Sequence, residues 1–283
     1  MTIPHQLMSW LVFLASVWFN GDSMTINILL DACKENGIDS KEVQRIIDEW
    51  KNSKELFNRW YDSLKNNNPD YSIYDDFLYI AEAFWCWKKY SKKSINILNK
   101  ISKNMSISVI EHIGNPDYVV DLGCGIGLTT MMLKNYFPNS TVIGTNITDT
   151  YQWKISSYIA KENNFILSER LPKLSGKVVI VASEYFEHFF KPIDELKFYL
   201  NIKPQYIICA NTFNSPSPGH FDFYKNENNV YSGYKISKLF NRTLREYGYK
   251  NLKTGYWNNR PAVWSLQDNF TTDDSSIMNF LRS

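Results

Sequence analysis

The chain has 283 residues, enough for one large or two ordinary domains with a sizeable buried core. Hydrophobic residues make up 44% and charged residues 21%, a globular balance that excludes a disordered, collagen-like or simple coiled-coil chain. With 31 Lys and Arg against 29 Asp and Glu, the formal net charge is +2, so no molecule-wide basic field advertises a polyanionic partner.

Aromatic residues reach 16%, which supplies large apolar area for a core and rings that can stack on flat ligands. The first long apolar run, Met8 to Phe19, is shorter than the roughly 20 residues that cross a bilayer. No Lys or Arg precedes it, and a buried helix is expected rather than a membrane span or a signal peptide. Cys33, Cys86, Cys124 and Cys209 form no C-x-x-C pair, which excludes a zinc knuckle and a dithiol motif and fits a reduced, cytoplasmic compartment. Val43, Ile46, Ile47, Trp50, Phe57, Trp60, Tyr61 and Leu64 follow helical spacing, with Asp39 and Ser40 as cap residues and Gly37 closing the preceding helix. Asn66 to Asp70 breaks the pattern, and a further helix is predicted from Tyr74 to about Lys103. Residues 1–105 therefore read as a helical N-terminal domain, a lid, an acceptor-recognition module or a dimerisation surface. Within it, Lys88, Lys89, Lys92 and Lys93 alternate with Trp87 and Tyr90, a combination that can grip nucleic-acid phosphates and stack on bases or simply form a solvated helix face.

From residue 106 onward, short β-branched runs alternate with helical stretches, the pattern of an α/β fold with a mostly parallel sheet. The predicted strands are Tyr118 to Leu122, Thr141 to Thr145, Asn164 to Leu167, Lys177 to Ala182 and Tyr206 to Ala210. Asn251 to Trp257 and Ala262 to Leu266, joined by Asn258-Asn259, read as a closing antiparallel hairpin. Residues 211–233 read as one long connection, expected to form part of an acceptor pocket with Phe221, Phe223 and Tyr224, or to be a surface excursion.

The sharpest signal is Val119-Val120-Asp121-Leu122-Gly123-Cys124-Gly125-Ile126-Gly127, an apolar strand that ends in an acid and runs into three alternating glycines before a helix. Such a loop admits close backbone approach by a ligand at the carboxyl end of the first strand, where open α/β sheets bind nucleotides. The dinucleotide fingerprint G-x-G-x-x-G needs glycine where Leu128 stands, which disfavours NAD.

This stretch resembles motif I of the class I S-adenosylmethionine-dependent methyltransferases. Glu184-Tyr185-Phe186-Glu187-His188 with Pro192, and Gly219-His220 followed by Tyr247-Gly248-Tyr249, are similar to later segments of the same group. The resemblance covers roughly residues 110 to 270. It implies a Rossmann-like domain over 106–283, with a mostly parallel seven-stranded sheet and C-terminal antiparallel hairpin. It also implies S-adenosylmethionine (SAM) contacts at Asp121, Gly123, Cys124, Gly125, Gly127, Asn146, Glu169, Ser183 and Glu184. Where the group usually has an acid for the ribose hydroxyls, this chain has Asn146, with Asp149 nearby as a substitute.

If the methyl acceptor carries a proton, a base must take it, and His188, His220 and Glu187 are the candidates. Glu184, His188, His220 and Asp222 also have the composition of a metal site, although no metal is expected. The absence of a (D/N/S)-P-P-(Y/F/W) segment and of a Pro-Cys pair argues against both common DNA methylations. The expected activity is methyl transfer to a small molecule or modified nucleotide. The alternatives are transfer of another part of SAM, or binding without turnover.

Overall fold

The β-branched runs do form strands. In the computed structural model, which describes residues 23–49, 54–102, 106–255 and 260–267, they are β1 (Tyr118–Leu122), β2 (Thr141–Thr145), β3 (Ile166–Ser168), β4 (Val178–Ser183) and β5 (Tyr206–Ala210). The chain closes with β8 (Tyr249–Leu252) and β9 (Ala262–Leu266), which complete a seven-stranded sheet of order β3-β2-β1-β4-β5-β9-β8. Strands β1 to β5 pair in parallel, while β9 runs antiparallel between β5 and β8. This is the mostly parallel sheet with a terminal antiparallel hairpin that the sequence predicts.

The helices are α1 (residues 23–35), α2 (Ser40–Glu49), α3 (Lys54–Lys65), α4 (Leu78–Cys86), α5 (Lys92–Asn96), α6 (Val109–Ile113), α7 (Leu128–Tyr136), α8 (Tyr151–Asn163), α9 (Pro192–Leu200) and α10 (Gly233–Glu246). Strand residues alternate between two buried layers, as the two-residue side-chain period requires. Val119, Val179 and Ile208 join one layer with residues of α7 and α8, whereas Val120, Ile180 and Ile207 join the other with residues of α9 and α10. The N-terminal helices contribute to both: Leu29, Val43, Phe84 and Ile95 to the first, Leu56, Trp60 and Tyr79 to the second.

Several local expectations change. The run from Val43 to Leu64 is divided between α2 and α3, with residues 50–53 outside the described chain. The Asp39 carboxylate caps α2 by accepting from the backbone N–H of Lys41 and Glu42 at 3.0 and 3.1 Å. The helix predicted from Tyr74 to Lys103 starts at Leu78, after a 3-10 turn at Tyr71–Asp75, and runs on in helical backbone through α4, a wide π turn at Trp87–Ser91, α5 and a 3-10 turn at Ile97–Asn99. The segment 211–233 is not an unstructured connection: β6 (Phe223–Asn226) and β7 (Asn229–Ser232) pair as a hairpin, with Glu227 at φ 53 in its two-residue turn. The aromatic and β-branched pairs Phe223-Tyr224 and Val230-Tyr231 on either side of an Asn-rich turn are the available signal. The Met8–Phe19 stretch and the Asn258-Asn259 turn lie outside the described residues. Among the described residues, no helix is long and apolar enough to cross a membrane, and the four cysteines are free thiols.

Trp60 ties the helical region to the β5–β6 connection. Its ring is fully buried, its Nε1–H donates to the His220 carbonyl at 2.5 Å, and its edge meets Phe221 with centroids 5.4 Å apart. Trp60→Ala is expected to cost about 3–5 kcal/mol, and Trp60→Phe, which keeps a ring but strands the His220 carbonyl, about 1–3 kcal/mol. Chemical denaturation checks both, and midpoints equal to wild type would contradict the assigned role.

Candidate functional site

At the end of β1, Asp121 is 2% exposed and accepts from the Thr130 hydroxyl of α7 at 2.6 Å. Burial pushes its carboxyl up to about 7, against the smaller opposing effect of the Thr130 bond. The loop that follows is pinned to β2: Cys124 N–H donates to the Thr145 carbonyl at 2.8 Å, and Gly123 N–H to the Thr145 hydroxyl at 3.1 Å. Gly123, Gly125 and Gly127 all have positive φ, at 62°, 55° and 86°. The reason for glycine differs among them. A Cβ at Gly123 would approach Tyr185 Cδ2 to 2.6 Å, and one at Gly127 would meet Ser156 Cβ at 3.1 Å, so the protein's own packing excludes side chains there. At Gly125 the neighbour is the mobile end of Gln152, 3.3 Å away, and this residue lines open space.

That space is a cavity of about 800 Å³ at the carboxyl edge of the sheet. Of the predicted cofactor residues, Asp121, Gly123, Cys124, Gly125, Asn146, Glu169, Ser183 and Glu184 line it, and Gly127 does not. Asn146 is committed internally: its Nδ2 donates to the Gly125 carbonyl at 2.7 Å and to Ser156 Oγ at 3.2 Å, and its Oδ1 accepts from Ile147 N–H at 2.9 Å. It therefore shapes the loop as well as facing the cavity. Asp149 is exposed and does not line it, whereas Glu169 does.

The end of β4 brings two carboxylates and two imidazoles together. Glu184 adopts φ 53, an uncommon conformation for a residue with a side chain and one that concentrates at functional sites. Thr212 holds the pair: its hydroxyl lies 2.7 Å from Glu184 Oε2 and 3.1 Å from Glu187 Oε1, and its N–H donates to Glu187 Oε1 at 2.6 Å. Glu184 Oε1 and Glu187 Oε2 are buried without a hydrogen-bond partner. Burial, then the neighbouring Glu187 carboxylate, raises the Glu184 carboxyl well above its ordinary range. One oxygen of each glutamate and a ring nitrogen of His220 lie within 4.8 Å of one another. Asp222 is exposed and stands apart, so the four-residue set Glu184, His188, His220 and Asp222 does not form as drawn from the sequence.

His188 is the only one of the three predicted bases that lines the cavity, because Glu187 is fully buried and His220 is 3% exposed behind it. Its Nδ1 lies 2.9 Å from the Tyr74 hydroxyl, and its ring packs edge-on against His220 at 4.7 Å. Burial, reinforced by His220, lowers its pKa well below the usual imidazole value, so the ring is neutral near pH 7. Gly219 makes room for this arrangement, since a Cβ there would run into the Tyr74 hydroxyl and His188 Nδ1. His220 Nδ1 is taken up by the Ser215 carbonyl at 2.8 Å.

The rest of the wall was not legible from motifs. Tyr71, Tyr74, Tyr79, Cys86, Trp87 and Ser91 come from the helical region, and Gln152, Tyr185 and Phe189 from the sheet-bearing part. Phe221, Phe223 and Tyr224, expected to line an acceptor pocket, do not: Phe221 and Tyr224 are core, and Phe223 is exposed. The lysines of the Trp87–Ser91 region lie over the chain's own rings, Lys88 on Trp85 at 5.4 Å and Lys89 on Tyr90 at 5.0 Å, and Trp87 is itself buried.

No protein-family model and no curated protein matches the chain. Solved structures similar to it include magnesium protoporphyrin IX methyltransferase from Synechocystis PCC 6803, crystallised with bound SAM, at 15% identity over 80% of this chain and 97% of that one (TM-score 0.39). The methyltransferase domain of a bacterial Hen1 protein is 18% identical over 56% of this chain and 94% of its own (TM-score 0.39). The ribosomal protein L11 methylase of Lactobacillus delbrueckii subsp. bulgaricus is 17% identical over 56% and 73% (TM-score 0.35). Strand order, two-sided burial and the glycine loop decide the architecture. It is an α/β fold with a mostly parallel seven-stranded sheet closed by an antiparallel C-terminal hairpin.

Asp121 generates a pH prediction. A carboxyl raised from 3.8 to about 7 adds stability that is complete below its unfolded pKa and is lost as pH rises through the folded value. Asp121→Asn does not titrate, so its melting temperature relative to wild type should climb between about pH 4 and 7 and level off above. A difference that stays constant across that range would contradict the buried, proton-holding state.

Proposed function

We propose that the chain is a SAM-dependent methyltransferase acting on a small-molecule or nucleotide acceptor. One observation carries this reading: a single open cavity joins the glycine loop after β1, the β2 end at Asn146, and the β4 end at Ser183, Glu184 and His188. The loop backbone at Gly123 and Gly125, with Asp121 behind it, would hold the methionine end of SAM, and Asn146 and Glu169 its nucleoside. When bound, SAM supplies an electrophilic methyl on a positively charged sulfur.

The protein's part is to align the acceptor, exclude water and take a proton. The described N-terminal helices support the second task, because Tyr74, Tyr79 and Trp87 line the cavity with rings. These rings suit a flat acceptor. His188 is the assigned base. It is neutral, faces the cavity, and is oriented by Tyr74, so it can accept a proton from a hydroxyl or ammonium group as the methyl transfers.

A second reading concerns cation dependence. The clustered carboxyl oxygens of Glu184 and Glu187 and the His220 nitrogen fit the oxygen and imidazole preferences of a divalent ion such as Mn²⁺, and each glutamate has one oxygen without a partner. An ion held there would supply Lewis-acid polarisation of an acceptor hydroxyl.

Calorimetric titration tests both readings. Wild type should bind SAM, Gly125→Val, which both strains the positive-φ loop and fills ligand space, should lose that affinity, and His188→Ala should keep the affinity while turnover falls about 10²-fold or more. Absence of SAM binding at millimolar ligand would end the enzyme reading. Absence of Mn²⁺ binding by wild type, or its survival in Glu187→Gln, would end the cation reading alone.

A further inference from the structure

A second cavity, of about 300 Å³, lies between α10 and the β5-β9-β8 edge of the sheet, and the cofactor reading does not use it. Three cations reach it from three different elements: Arg245 from α10, Lys253 just after β8, and Arg260 just before β9. Among the described residues, no Asp or Glu lines it. The nearest carboxylate in sequence on α10, Glu246, is paired with Arg242 at 3.2 Å. Cys209, which also lines the cavity, carries no charge, since burial pushes its thiol up to about 12.

Trp264 supplies an independent observation. Its side chain is 3% exposed and lines the cavity, and its indole N–H has no oxygen partner. The Cys209 sulfur is the weak acceptor near it. The Arg245 guanidinium stacks over the same ring at 5.7 Å. Like charges converging on one cavity repel one another, only Arg260 having a carboxylate, Glu184 of the neighbouring site, within electrostatic reach, and an indole N–H without an oxygen acceptor forgoes a hydrogen bond. An anion with several oxygens relieves both. Guanidinium groups match the geometry of tetrahedral oxyanions, and an ammonium adds a point charge.

We propose that this cavity is a phosphate-binding site, separate from the SAM cavity and formed by Arg245, Lys253, Arg260 and the Trp264 indole N–H. It lies one strand away from the catalytic edge: Asn211, at its rim, directly follows β5, whose Ala210 carbonyl accepts from Glu184 N–H at 2.8 Å.

The test uses inorganic phosphate as probe, so its outcome does not depend on the methyl-transfer reading. The Trp264 indole N–H resonance, identified by its loss in Trp264→Phe, is followed during phosphate titration at constant ionic strength. A saturable shift is expected, weakened at least tenfold in the Arg245→Gln/Arg260→Gln double variant, whose changes fall on exposed side chains. Phosphate should also raise the melting temperature of wild type more than that of the double variant, a readout that survives if Trp264→Phe fails to fold. Adenosine monophosphate then separates sources: tighter binding than phosphate assigns the site to a nucleotide phosphate, and binding of phosphate alone to a free anion. An unmoved indole resonance, an equal shift with chloride, or an undiminished response in the double variant would overturn the proposal.

Discussion

The glycine loop is held open by hydrogen bonds to β2, and the rest of the site depends on that attachment. Thr145 accepts from both Cys124 and Gly123, and Asn146 reaches back to the Gly125 carbonyl, so the backbone after β1 is fixed by the strand beside it. Tyr185 and Ser156 fill the spaces that side chains at positions 123 and 127 would need. What remains uncovered is the stretch around Gly125, facing the cavity. A loop preorganised in this way loses little freedom when a ligand settles against it.

The β4 end adds charge to that shape. Glu184, Glu187, His188 and His220 share a poorly solvated region, and each resolved shift favours the neutral form because burial dominates. A neutral imidazole can accept a proton, and a carboxyl with an unpartnered oxygen can accept a hydrogen bond or, once it gives up its proton, a cation. The strained backbone of Glu184 fits the same picture, since the structure keeps that residue aimed into the cavity against its intrinsic preference.

Much of this was legible in the chain. Strands with β-branched runs bounded by turn residues appear where the alternation placed them, and β1, β2 and β5 do so to the residue. The glycine loop and the β4 segment were visible because their side-chain requirements are local. Contacts between distant segments were not. Nothing in the sequence pairs Tyr74 with His188, or Thr212 with Glu184 and Glu187, because such contacts come from tertiary packing. Likewise, nothing in the apolar spacing of the helix expected from Tyr74 onward marks the wider π turn at Trp87–Ser91. The role given to residues 221–224 failed for a related reason. Their aromatic side chains suggest a pocket wall, but Trp60 and α10 bury two of them in the core.

The most direct test is a crystal structure of the chain grown with S-adenosylhomocysteine. The account requires the nucleoside and amino-acid ends to lie in the cavity at the carboxyl edge of β1, β2 and β4, with the Gly123–Gly125 backbone against the ligand and His188 facing its sulfur. A ligand bound elsewhere, or a cavity closed by Tyr185 and Gln152 with no ligand present, would contradict it.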